Sequence, residues 1–379
     1  MKKAVCLVLA LAMLACVFTG CGKAESFDGK TLKLGLIGPL TGGAAMYGTA
    51  VKQGAELAVS EINAKGGLQL ALNAQDDEND TEKSVNAYHN LQDWGMHVLV
   101  GTVTTTPCIA VSAEAYQDRV FTLTPSASAT QVTANKDNVF QLCFNDPNQG
   151  TASARYISEH FPDAKIAVIY DNGSAYSSGI YQTFSAEAEK LGMNIVSTGT
   201  CTEETTDFSV QISDAKNANA DLVFIPLYYT PASLILNQAN SVSYAPVFFG
   251  VDGMDGILTL KGFNTELAEG VMLLTPFAAD SKDEQTQAFV AAYEAAYGET
   301  PTQFAADAYD CVYAVYEAFT AAGVESGATT EEICDAMVAE FESFTFSGLT
   351  GADMQWSNGQ VDKAPAAVVI ENGVYTDAG

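Results

Sequence analysis

Residues 31–67 read TLKLGLIGPLTGGAAMYGTAVKQGAELAVSEINAKGG, and this stretch decides the architecture. The apolar run at 32–37 suits a β-strand. A Gly/Pro/Thr turn carrying Tyr47 follows it. Beyond the turn Val51, Ala55, Ala58 and Ile62 fall on one helical face, and Gly66 with Gly67 ends the helix. Strand, polar turn and helix recur to near the end of the chain. Alternation of this kind, joined by right-handed crossovers, predicts an α/β fold of doubly wound parallel sheets.

Expected strands cover 32–37, 68–74, 98–101, 121–125, 165–170, 194–198, 222–226, 247–250, 271–275 and 367–370. Expected helices cover 48–64, 82–94, 107–118, 148–160, 177–191, 207–218, 231–241, 283–297, 303–322 and 330–342. Continuous apolar runs such as AVI at 167–169 and LVFI at 222–225 fit strands covered by helices on both faces. At 379 residues the chain has room for two such lobes. Three helices after residue 275 and a hairpin-like MQWSNGQV at 354–361 complicate a simple bisection. No internal repeat or low-complexity segment appears.

The first 20 residues have the parts of an export signal: Lys2 and Lys3, an uncharged apolar core at 4–18, then Thr19 and Gly20 before Cys21. The apolar run is shorter than the roughly 20 residues a membrane span needs. Its removal takes away two lysines and no acids, moving the net charge from −29 to −31. So acidic a chain, without a basic patch, disfavours nucleic acid and phosphate-rich partners. Beyond Cys21, five scattered cysteines (108, 143, 201, 311 and 334) read as small buried hydrophobes, and three histidines far from any ligand-like spacing give no metal site. No cofactor is expected.

In doubly wound sheets ligands bind beyond the carboxyl ends of the strands, so function is sought in those turns. After the strand at 98–101 comes TVTTTP, with more hydroxyls than one helix cap needs. The helix tip there offers free N–H groups to a carboxylate. After the strand at 121–125 comes SASAT, small residues that let backbone approach a ligand. In the second half, three strand ends carry Tyr176, Tyr228 and Asp252. Together these make a clamp for an α-amino acid: one lobe holds its carboxylate, the other offers Asp252 to its ammonium, and aromatics exclude water.

YGTAVKQGAELAV at 47–59, DDEND at 76–80, TPSASA at 124–129, YDNGSAYSSG at 170–179, TTDFS at 205–209 and FFGVDG at 248–253 resemble segments of the leucine/isoleucine/valine-binding family. These are lipid-anchored solute-binding proteins that feed ABC importers. The resemblance implies the type I periplasmic binding protein fold, with chain crossings near 145, 276 and 349. Lobe 1 would comprise 31–144 and 277–349, and lobe 2 would comprise 145–276 and 350–379. Residues 1–20 would be the signal peptide and 21–30 a tether, with Cys21 acylated and Cys16 a weaker alternative. The resemblance also implies that Thr105 and Ser128 grip the carboxylate with N–H groups. Ser126 and Ser128 would receive the ammonium and Asp252 would supply the counter-charge. Tyr47, Tyr176 and Tyr228 would line the pocket, Thr104 and Ala127 its wall, with Phe304 a weaker candidate. Thr105 stands where Ser is commoner in that family and Asp252 where some members carry Glu. The cysteines that some members bridge are absent at Asn79 and Thr104.

The implied function is capture of an amino acid, branched-chain or otherwise aliphatic, for an ABC permease and ATPase, by a lipid-anchored monomer. A sensory or envelope lipoprotein using the same fold is the alternative. An exported hydrolase is disfavoured, because no GxSxG, P-loop or HExxH occurs and no histidine lies in a strand-end turn.

Overall fold

A computed structural model describes residues 26–378. The signal segment, Cys16 and Cys21 lie outside the described residues. The first sheet is wholly parallel. It contains β1 (Thr31–Gly38), β2 (Gln69–Asp76), β3 (Val98–Val100), β4 (Phe121–Thr124) and β5 (Val139–Gln141), in the order β2-β1-β3-β4-β5. Its crossovers carry α1 (Ala45–Lys65), α2 (Thr81–Asp93) and α3 (Thr105–Gln117). Leu32, Leu34, Leu36 and Ile37 are all buried, as a central strand with helices on both faces requires.

The second sheet follows α4 (Asp146–His160). Its parallel part is β6 (Lys165–Asp171), β7 (Asn194–Cys201), β8 (Leu222–Phe224), β9 (Val247–Gly250) and β10 (Met272–Thr275), interleaved with α5 (Ala175–Leu191), α6 (Ser209–Asn217) and α7 (Tyr229–Ser241). The chain then returns to the first sheet through α8 (Glu284–Tyr297), α9 (Gln303–Ala322) and α10 (Thr330–Phe341). A short hairpin, β11 (Thr345–Phe346) and β12 (Met354–Gln355), precedes a third crossing. The last strands, β13 (Ala366–Glu371) and β14 (Val374–Asp377), join the second sheet antiparallel, giving the order β14-β13-β10-β9-β8-β6-β7.

Glycines set two close helix contacts. At Gly54 of α1 an added Cβ would stand 2.0 Å from the Ala305 carbonyl oxygen of α9. At Gly150 of α4 it would stand 2.4 Å from the Ile180 carbonyl oxygen of α5. Only glycine allows either pair of backbones to approach so nearly.

Near the third crossing, buried Lys363 bonds Asp307 of α9 through Nζ at 2.6 Å and donates to the Thr350 hydroxyl. Asp310 accepts from Leu349 N–H and Thr350 N–H, both at 2.9 Å. At the other end, Phe27 exchanges backbone hydrogen bonds with Ala328 and Gly327, and its ring meets Phe319 edge-on. The start of the described chain is thereby fastened to the first sheet's helices.

Several details differ from the sequence expectation. The strands β5, β11, β12 and β14 were not anticipated, being two to four residues long. A second hairpin, not anticipated, turns at Asn372 and Gly373, both at positive φ. Within 354–361 the expected tight turn forms at Asn358 and Gly359, with Ser357 and Gln360 exchanging N–H···O bonds at 2.8 and 3.1 Å across it. Met354 and Gln355 pair backwards with β11, and Ser357 with Gln360 forms an isolated bridge. Helix α3 starts at Thr105, not at residue 107, so Pro107 occupies its third position rather than its first.

Candidate functional site

The carboxyl ends of both sheets face one another, and a small cavity of about 20 Å³ lies between them. Val103, Thr104, Thr105 and Ser126 form the first-sheet wall; Tyr176, Tyr228, Asp252 and Gly253 form the opposite wall. Tyr47 and Phe304 close the sides.

Thr124 organises the first wall. Its hydroxyl donates to the Thr102 carbonyl at 2.7 Å and accepts from the N–H groups of Ser126 and Ala127. The Ser126 hydroxyl donates to the Val103 carbonyl at 2.6 Å, locking the two turns together. Gly101, at φ +142°, makes the sharp exit from β3 that a side chain would hinder. Thr104 caps α3 in extended conformation, yet its side chain makes no cap bond. The usual acceptor–donor pair of such a cap needs an N–H at the second or third helical position, and Pro107 has none at the third. The tip of α3 thus points N–H groups and its partial positive charge into the cleft.

Asp252 follows β9 on the other wall and is buried. Its Oδ1 accepts from the Tyr176 hydroxyl at 2.6 Å, and the same hydroxyl accepts from Gly253 N–H at 2.9 Å. Gln149 takes the Asp252 N–H at 3.3 Å, and Gln303 donates to its carbonyl at 3.4 Å. Burial pushes the Asp252 carboxyl up to about 7, against the lowering effect of the Tyr176, Gln149 and Gly253 hydrogen bonds. Asp146, at the start of α4, is buried as well, and neither of its carboxylate oxygens has a hydrogen-bond partner. Burial holds it well above the usual carboxylate range.

Contacts between the walls are numerous. Tyr47 donates to the Gly253 carbonyl at 2.5 Å and accepts from Tyr229 N–H at 3.1 Å. Thr230 donates to the Gly43 carbonyl at 2.8 Å, and Gln303 N–H reaches Asp255 at 3.0 Å. Rings of Tyr228, Tyr229 and Phe304 pack edge-on around Tyr47 with centroids 4.8–5.1 Å away.

The structure therefore gathers Tyr47, Thr104, Thr105, Ser126, Tyr176, Tyr228, Asp252 and the weaker candidate Phe304 at one cavity. Two expected residues stand apart from it. Ala127 packs with Cys108, Val132 and Val139 behind the wall, because the chain there turns inward. Ser128 gives its N–H to the Thr105 hydroxyl at 3.2 Å, while its own hydroxyl has no partner. Val103, Gly253, Gln149 and Gln303 were not singled out from sequence. Gln303 directly precedes Phe304 in PTQF at 301–304, the one local signal that could have found it. Among the described residues no cluster of metal-ligating side chains occurs, the five cysteines are buried and unpaired, and no helix is long and apolar enough to cross a membrane.

Residues 31–373 match the periplasmic binding protein family. A Leu/Ile/Val-binding protein homolog of Brucella melitensis is 33% identical over 227 residues, 59% of this chain and 61% of that protein's length. The Leu/Ile/Val-binding protein BraC3 of Rhizobium johnstonii is 29% identical over 79% of this chain and 81% of its own. Among solved structures, the branched-chain amino acid transporter substrate-binding protein LivJ of Streptococcus pneumoniae, in complex with isoleucine, superposes with a TM-score of 0.82. It is 30% identical and covers 91% of this chain and 98% of its own. Two sheets, one wholly and one mostly parallel, meeting at their carboxyl ends around a small cavity, with a match over nearly the whole described length, place this chain in the periplasmic binding protein family.

Proposed function

We propose that this protein is the extracytoplasmic receptor of an ABC importer, capturing an amino acid of branched-chain size and delivering it to a permease and ATPase. The carrying observation is the opposition of charges across the cavity: the α3 tip on one wall, the Asp252 carboxylate on the other. A zwitterion needs both poles matched, and a neutral or singly charged solute does not. Thr105 and Ser126 would hold the carboxylate and amino groups through backbone atoms, with Ser128 joining once its N–H leaves Thr105. Tyr47, Tyr176 and Tyr228 would shield the head group. The relatives' names and the isoleucine complex support this ligand class.

A cavity of about 20 Å³ holds little more than one water, so the walls part to admit a ligand. Hinge motion about the three crossings would supply that opening, with lobe 1 at 31–144 and 277–349 and lobe 2 at 145–276 and 350–379. We further propose that residues 1–20 are a cleaved signal, that Cys21 carries the lipid anchor and that the protein is a monomer. A thermal-shift screen of the twenty amino acids tests the reading. Ligand at 100 times its Kd adds about 2.7 kcal/mol of stability, so leucine, isoleucine, valine or threonine should raise the melting temperature. A chain that folds but responds to none of the twenty refutes it.

A further inference from the structure

The hydroxyl of Thr104 is the unused polar group of the cavity. Thr104 lines the pocket and is only 4% exposed, and its Oγ1 has no hydrogen-bond partner. The one structural duty its position suggests, capping α3, is not performed, and Pro107 removes the N–H that the third helical position would offer. Burying a hydroxyl without a partner costs folding free energy. Fold alone would favour valine here, which has the same shape and no polar atom.

The proposed head-group contacts leave this hydroxyl over. The amino and carboxylate groups of a zwitterion are answered by Asp252, Ser126 and the N–H groups around Thr105. Thr104 instead adjoins Val103, in a cavity whose sides Tyr47 and Phe304 close. Val103, Tyr47 and Phe304 offer apolar surface there that suits a short branched side chain.

We infer that the Thr104 hydroxyl pairs with a polar atom on the ligand's side chain, so that the pocket selects a β-branched amino acid bearing a hydroxyl over its apolar isostere. This rests on the proposed amino-acid function and names the ligand within it. Threonine and valine are the discriminating pair, equal in shape and differing by one hydroxyl. An apolar pocket prefers valine, because threonine's hydroxyl would be stripped of water without return. A pocket with a waiting hydroxyl reverses the order, since valine leaves Thr104 unpaired.

Titration calorimetry on the purified chain tests this with threonine and valine as probes. Threonine should bind at least about tenfold tighter than valine. Thr104→Val should abolish or invert that ratio, Thr104→Ser should retain it, and the melting temperature of the ligand-free Thr104→Val protein should not fall. Valine binding as tightly as threonine in the unaltered protein overturns the inference while leaving the amino-acid function intact, and needs no variant to fold. Equal weakening of both ligands in Thr104→Val also overturns it, because the hydroxyl would then serve the head group. Failure of every amino acid to bind defeats the proposed function itself, and this inference with it.

Discussion

Asp252 should make ligand binding depend on pH, and the size of the effect follows from its surroundings. Burial raises its carboxyl to about 7 in the closed protein. An incoming ammonium needs the ionised form, so below pH 7 a proton must leave before the ion pair can form. The sign is fixed: affinity is full above pH 7 and falls as pH drops beneath it. With one proton released, the apparent Kd rises by at most about tenfold per pH unit below 7, at most about 100-fold at pH 5, or about 2.7 kcal/mol, and by less to the extent that the opened cleft wets the carboxyl. An α-amino acid stays zwitterionic between pH 5 and 8, so the ligand adds no titration of its own. Asp252→Asn keeps the shape and removes the ionisation. It should bind about 3 kcal/mol more weakly at pH 8, because the ligand's ammonium is left buried without a counter-charge. Its affinity should also be flat from pH 5 to 8. Calorimetry across that range, in two buffers of different ionisation enthalpy, reads both the affinity and the proton released. A flat profile in the unaltered protein, or an unchanged slope in Asp252→Asn, would refute the assignment.

Two further perturbations probe closure and the third crossing. Tyr47→Phe removes the hydroxyl that joins the Gly253 carbonyl to Tyr229 N–H across the cleft. It should weaken ligand binding by about 1–3 kcal/mol, leaving buried partners unmatched only in the closed state; small-angle scattering of the ligand-bound variant should show a larger open fraction. Lys363→Met leaves Asp307 buried without its cation and should destabilise by about 3–5 kcal/mol in urea unfolding, with Asp307→Leu added on top recovering most of the loss.

The alternation of strand and helix was legible because the central parallel strands such as β8 and β9 are short apolar runs, while the edge strands β2 and β7 are partly polar and were marked by the helices around them. The short strands were not. A two-residue piece such as β11 has no period to detect, and its pairing with β12 is decided by tertiary contact. Much of the site was legible for a chemical reason: ligand-facing residues in this fold cluster at strand ends, so Thr104, Ser126, Tyr176, Tyr228 and Asp252 stood in the turns where one looks. Gln149 lies within a helix and Gln303 opens one, and both reach Asp252 through their side chains. Thr124 is buried within a strand, and nothing in its neighbours distinguishes a bracing hydroxyl from an ordinary strand threonine. Ala127 packs behind the wall, and a run of small residues does not say which members turn inward.

The fastening of Phe27 to Ala328 and Gly327 bears on how the molecule would stand on a surface. With Cys21 acylated as proposed, six residue steps separate the lipid from Phe27, at most about 22 Å of extended chain. That leash ends on the body built around the first sheet. Among the described residues the half bearing Asp252 has no such attachment, so it would be the half left to swing about the hinge while its neighbour stayed moored.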